Sequence, residues 1–217
     1  MIAKGKQAQE NMVIASVRRA LGREAGSPAA PRPPVLPSRE AGDQDAEIEL
    51  LLSEIDKLAG QTLRITPESI EARLAELVKT VPINSATCWN TPWLQELGVA
   101  ARLAALGVEV LSPSASADIL DRCDLGVTEV DFALPETGTL ALLSSPEKPR
   151  AVSLLPRVHL ALLKPDALRA DLHQVFAEAR LQPYMILITG PSRTADIELT
   201  VTLGVHGPRQ LHVWAVE

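Results

Sequence analysis

Cysteine is almost missing from this chain. Cys88 and Cys123 are the two it has, with 34 residues between them. A zinc or iron–sulfur centre needs about four thiolate or imidazole ligands, usually in close pairs. No CxxC or HxxxH occurs, so the chain is expected to hold no such centre of its own. The two thiols read instead as small buried apolar groups in a reducing compartment. Aromatic residues are also scarce, at 3%, which leaves the core to aliphatic side chains. Basic charge is in deficit. The 21 Lys and Arg are scattered among 27 Asp and Glu, and the net charge of -6 argues against non-specific nucleic-acid binding. No run reaches the ~20 apolar residues of a membrane span. The longest, from Ala151 to Leu163, is broken by Pro156 and Arg157. The first 23 residues carry Lys4, Lys6, Glu10, Asn11, Arg18 and Arg19 and no clean apolar stretch, so no secretory signal is expected and the cytoplasm is the expected location.

What is present suits one α/β domain behind an extension. Residues 3–22 read as an amphipathic helix, with Val13, Val17 and Leu21 four apart and Gly22 as its stop. Residues 23–45 lose all periodicity. Pro28, Pro31, Pro33, Pro34 and Pro37 make them an extended linker, so residues 1–45 form a tethered helix that packs on its own domain or on a partner. The main domain, residues 46–217, opens with helical faces at Ile48, Leu51, Leu52 and Ile55, then at Ile70, Leu74, Leu77 and Val78. A weak strand at 81–87, a helix over 91–106, a short strand at 108–111 and a short helix ending at Cys123 follow.

From there the apolar runs sharpen. Residues 127–134, 140–144, 151–155, 158–164, 185–189 and 211–216 read as strands, with helices over 166–180 and 193–203. Continuous runs such as Val158 to Leu163 are the mark of strands buried on both faces. Strand–helix alternation predicts a three-layer α/β/α sandwich with a mainly parallel sheet, and the close spacing between 127 and 155 predicts an antiparallel element inserted in it.

Ligands of open α/β sheets sit beyond the carboxyl ends of strands, so the turns after strands are the places to search. Gly190-Pro191-Ser192-Arg193-Thr194-Ala195-Asp196 combines a tight turn, capping hydroxyls and a planar cation. It suits an anion at a helix N-terminus, or equally an ordinary first helical turn. Glu136-Thr137-Gly138-Thr139 offers a carboxylate that can serve as nucleophile, base or acceptor, with a glycine beside it, or is a plain hairpin turn. His206-Gly207, between Gly204 and Pro208, can reach a cleft or lie on the surface. His159 reads as a strand residue satisfied by a neighbour, and His173 and His212 as surface. Arg150 and Arg157 read as solvated loop residues. Walker, GxGxxG and nucleophile-elbow patterns are missing.

The stretches LPETGTL, SLLPRVHL, LITGPSRTADIE and LGVHGPRQLHV, in this order over about the last 90 residues, resemble the LutC/YkgG family, the LUD-domain proteins of bacterial lactate utilisation. Glu129 stands where the family's VTG-like turn has Gly. The resemblance implies a fold similar to ribose-5-phosphate isomerase, glucosamine-phosphate deaminase (NagB/RpiA-like) and CoA transferases, whose loop Glu makes Glu136 the catalytic candidate by analogy. It implies work beside two iron–sulfur proteins, LutA-like and LutB-like, that hold the clusters for oxidising L-lactate to pyruvate. This chain would then be a cofactor-free, non-redox subunit that binds a small anionic metabolite or assembles the complex, as a monomer or a homo-oligomer. The alternatives are a stand-alone isomerase or CoA-transferase-like enzyme using Glu136, and a carboxylate sensor or scaffold docking through helix 3–22.

Overall fold

The computed structural model describes residues 12–23, 28, 31, 39–194 and 202–217. They belong to two units, Met1–Pro37 and Ser38–Glu217. In the first, helix α1 covers residues 12–20, and Gly22 closes it in the left-handed conformation (φ +62°) expected of a helix stop. Met12, Val13, Ile14, Val17 and Leu21 are all exposed. The first part of the expected helix, 3–11, and most of the proline-rich linker lie outside the described residues.

The second unit runs α2 (Gln44–Lys57), β1 (Gln61–Ile65), α3 (Ile70–Thr80), β2 (Ser85–Cys88), α4 (Pro92–Glu96), α5 (Val99–Ala105) and β3 (Glu109–Leu111). It continues through α6 (Ala117–Leu120), β4 (Leu125–Glu129), β5 (Phe132–Leu134), β6 (Thr139–Leu143), α7 (Ala151–Leu154) and β7 (Val158–Leu163). It closes with α8 (Leu172–Ala179), β8 (Met185–Ile188), β9 (Arg193–Thr194), β10 (Thr202–Leu203) and β11 (Gln210–Val216). Six strands make one sheet in the order β1-β11-β7-β4-β2-β3, every neighbour parallel. A second sheet, β5-β6-β8, is antiparallel.

Side-chain alternation along the central strands sorts the core into two faces. Leu160 and Leu162 of β7 and Trp214 of β11 pack with Leu74 and Leu77 of α3 and Leu103 of α5. Ala161, Leu163, Leu211 and Val213 pack on the other side, with Ile48, Leu51 and Ile55 of α2 and Leu140 of β6. Beyond the small sheet, Val175 and Ala179 of α8 cover Phe132 and Ala141. Leu51, Leu74 and Leu125 are fully buried, and truncating any of them to Ala costs about 2–5 kcal/mol. No helix among the described residues is long and apolar enough to cross a membrane.

The mainly parallel α/β sandwich and the inserted antiparallel element are as expected, with differences in detail. Within the run 151–155, Ala151–Leu154 form helix α7, not a strand, where Gly126 of β4 brings its backbone hard against Val152. A Cβ there would lie 1.9 Å from the Val152 carbonyl oxygen. The run 127–134 is split between two sheets. The single helix over 91–106 is two, broken where Gly98 turns left-handed (φ +63°). The described ends of the expected helix 193–203 are extended and pair antiparallel, Thr194 with Thr202 and Arg193 with Leu203. The segment is rich in Thr, Val and Ile, whose branched side chains favour the ladder over the helix. Strand β1 escaped the sequence reading because its alternation is mostly polar.

Candidate functional site

The turn at 136–139 is shaped by its neighbours. Leu134 pairs with Thr139 across the β5–β6 hairpin, and Pro135–Thr137 is a single 3-10 turn. Gly138 (φ +61°) lies against α2, where a Cβ would stand 2.9 Å from the Ile55 nitrogen. Helix α2, not a ligand, is what approaches this glycine closely. Glu136 is 67% exposed, and its Oε2 is 4.0 Å from Nε of Arg39. That guanidinium already donates to both oxygens of Glu47 and to the Ala170 carbonyl. The bonds to Glu47 hold the Arg39 pKa above the ordinary value, and in return the Arg39 bond holds the Glu47 pKa below its own. Thr137 Oγ1 donates to Thr139 Oγ1 at 2.8 Å, which is 2.8 Å from Thr189 Oγ1. This row of hydroxyls borders a cavity of about 490 Å³ shared with Glu136, Asp171 and Leu187.

Thr189 leads into the second turn. Gly190 is left-handed (φ +81°), with Nη2 of Arg193 3.6 Å from where its Cβ would be, and Pro191 is buried. The Ser192 amide donates to the Pro208 carbonyl (2.9 Å), and the Gly204 amide donates to Ser192 (3.0 Å). Gly207 sits so close that its Cβ would lie 3.3 Å from that of Ser192. The 190–192 and 206–208 turns thus close over one cavity of about 160 Å³, lined among others by Ser153, His159, Ile188, Ser192 and His206. Among the described residues none that lines it is Asp, Glu, Lys or Arg. Since Arg193 and Thr194 form a strand, the argument from free amides at a helix N-terminus does not apply here. Asp196 lies outside the described residues.

The three turns therefore form a chain and not a single bowl. Glu136, Thr137 and Thr139 open to one cavity, and Gly190, Pro191, Ser192, His206 and Gly207 to another, with Leu187 and Thr189 common to both. The smaller cavity lies near the amino ends of β7 and β11, because the 204–208 turn precedes β11 and the 190 turn follows a strand of the small sheet.

Outside the turns, His159 is the strand residue with a neighbouring partner that was expected, while other polar groups differ from expectation. His159 is 1% exposed, with Nε2 2.9 Å from Thr128 Oγ1 and its Nδ1 without a hydrogen-bond partner among the described residues. Burial, helped by nearby His212, pushes its pKa down to about 3, so the ring is neutral. His212 is buried rather than superficial, and burial lowers its pKa to about 4. Arg157 is committed to Asp124 (2.9 Å) and Arg150 stacks on Tyr184 (4.7 Å). At the carboxyl edge of the parallel sheet, Lys148 Nζ lies 2.8 Å from Glu129 and 2.6 Å from Asp131, and Lys164 lies over Trp93 at 4.5 Å. Burial opposes the charge of Lys148, yet the two carboxylates outweigh it and raise its pKa. Glu129, Asp131, Lys164 and Arg169 line a polar hollow of about 220 Å³. Its signal in the sequence was Glu129 and Lys164, each at the end of an apolar run.

Comparison with known proteins places the chain among relatives. The LUD domain model matches residues 68–216, further upstream than the four motifs reach. Lactate utilization protein C of Halalkalibacterium halodurans is 29% identical over 76% of this chain and 76% of its own length. Lactate utilization protein C of Shouchella clausii is 33% identical over 64% of this chain and 65% of its own. The uncharacterized protein YkgG of Escherichia coli is 34% identical, covering 64% of this chain and 67% of that one. Among solved structures, a DUF162 family protein from Deinococcus radiodurans superposes with a TM-score of 0.61 at 20% identity, over 82% of this chain and 100% of that one.

Proposed function

The chain belongs to the LUD-domain family, and from that membership we propose that it serves lactate utilisation as a non-redox component binding a small 2-hydroxy or 2-oxo acid. The relatives' names support the metabolic role. The chemistry of the chain supports the non-redox part. Its two cysteines are buried, and burial pushes the Cys88 thiol up to about 12 and raises Cys123, which makes both poor metal ligands. In this reading the electrons of lactate oxidation pass to iron–sulfur partner proteins, LutA-like and LutB-like.

One observation carries the binding claim. Two turns that flank the β9–β10 pair, Gly190–Ser192 and His206–Pro208, are tied by main-chain hydrogen bonds over a cavity of about 160 Å³, the scale of a three-carbon acid. Its walls are largely aliphatic with a few convergent hydroxyls and imidazoles, the lining of a site that orients a small polar ligand. A thermal-shift screen of L-lactate, pyruvate, ribose 5-phosphate and acetyl-CoA tests it. A ligand at ~100 times its dissociation constant adds roughly 2.7 kcal/mol, a shift of roughly 5–10 °C. Stabilisation by lactate or pyruvate that is lost in Ser192→Val supports the reading. Stabilisation by acetyl-CoA instead, lost in Glu136→Gln, would transfer the function to the larger cavity, where Glu136 is exposed.

A further inference from the structure

Resting on that reading, we propose that His159 reads the 2-substituent of the acid: Nδ1 makes the polar contact with the 2-hydroxyl or 2-oxo oxygen, and the carboxylate points to the cavity mouth. His159 is among the residues that line the cavity, 1% exposed, and on the same face of the sheet as Ala161. Its Nε2 is committed to Thr128. Nδ1 has no hydrogen-bond partner among the described residues, and a buried polar atom left unsatisfied is costly unless something else meets it.

The orientation follows from charge. An ionised carboxylate is expensive to bury among uncharged groups, whereas a hydroxyl or carbonyl needs one hydrogen bond. The inner wall offers Ser153 and His159, both 1% exposed. The outer wall offers His206, which is exposed, and Arg193 stands exposed beside Gly190. The acid therefore enters with its C2 oxygen leading. The Thr128 hydroxyl sets the match. If it donates to Nε2, Nδ1 carries the proton and meets an oxo oxygen; if it accepts from Nε2, Nδ1 is bare and meets a hydroxyl.

The test uses the full chain with ¹⁵N-labelled histidine. Addition of L-lactate and of pyruvate, with propionate as the analogue lacking the 2-oxygen, is followed by imidazole nitrogen resonances and by calorimetry. The expected result is a shift of the His159 Nδ1 resonance with lactate or pyruvate, none at His212, and about tenfold weaker binding of propionate. His159→Phe should bind all three acids alike, and wild-type spectra decide the matter should that variant not fold. Binding of lactate or pyruvate with His159 unmoved overturns the assignment and leaves the proposed function standing. Failure of all three acids to bind at 100-fold excess over protein overturns both.

Discussion

Gly138 and the two buried histidines show how single residues are fixed by what surrounds them. At Gly138 both the left-handed backbone (φ +61°) and the nearness of α2 exclude a side chain. Gly138→Ala should lose about 2–4 kcal/mol in urea unfolding, one part from the strained backbone and the rest from displacing the helix. A loss below about 1 kcal/mol would show that the turn can shift freely. His159 and His212 act through protons. Each is held neutral in the folded chain, with pKa lowered to about 3 and about 4, while the unfolded chain titrates near 6.5. Protons thus favour the unfolded state. The stability from the two neutral rings is complete above about pH 6.5 and is lost as pH falls toward 4 and then 3. Between pH 6 and 5, most carboxylates stay ionised and the slope should approach about 2.7 kcal/mol per pH unit, two protons' worth. Replacing His212 by Gln should halve it, as read by urea melts at each pH.

Among elements, the corner where the chain leaves β4 for the small sheet is pinned by several charged groups. Lys148 joins Glu129 to Asp131, Asp131 accepts from the Leu143 amide, and Glu129 accepts from Thr91. Removing the cation leaves two carboxylates, 16% and 14% exposed, side by side. Lys148→Met should therefore cost about 2–4 kcal/mol, and adding Glu129→Gly should recover part of that loss. Equal costs for the single and double variants in denaturant titrations would remove the pinning role. Legibility followed the same lines. Val158–Leu163 was readable because both faces are buried and every residue but His159 is apolar, and α2 because its stripe recurs at helical spacing. Gln61–Ile65 was not, since an edge strand beside one partner shows little apolar pattern. Residues 151–155 misled because an apolar run that short suits helix or strand, and only contact with Gly126 decides. The turns at 136, 190 and 206 were legible as motifs. Their division between two cavities, and the part of His159 in one of them, depend on contacts between strands distant in sequence.

At the scale of the whole molecule, the core of the second unit is built, among the described residues, from its own elements. Its three apolar clusters draw on residues between Ile48 and Val216. Near the start of its described residues stands Arg39, whose guanidinium answers the carboxylate of Glu47, 6% exposed. Glu47 has one further donor, the Gly42 amide at 2.7 Å. Two truncations separate these contributions. A chain starting at Ser38 retains every one of these groups and is the reference. A chain starting at Ala41 loses Arg39 and leaves Glu47 as a buried charge with only an amide to hold it. It should be about 2–3 kcal/mol less stable, toward the lower end for a broken buried pair because that amide remains. Glu47→Gln in the shorter chain should restore much of the loss, since a neutral amide needs no counter-charge. If both truncations melt together, Arg39 contributes nothing that water cannot replace.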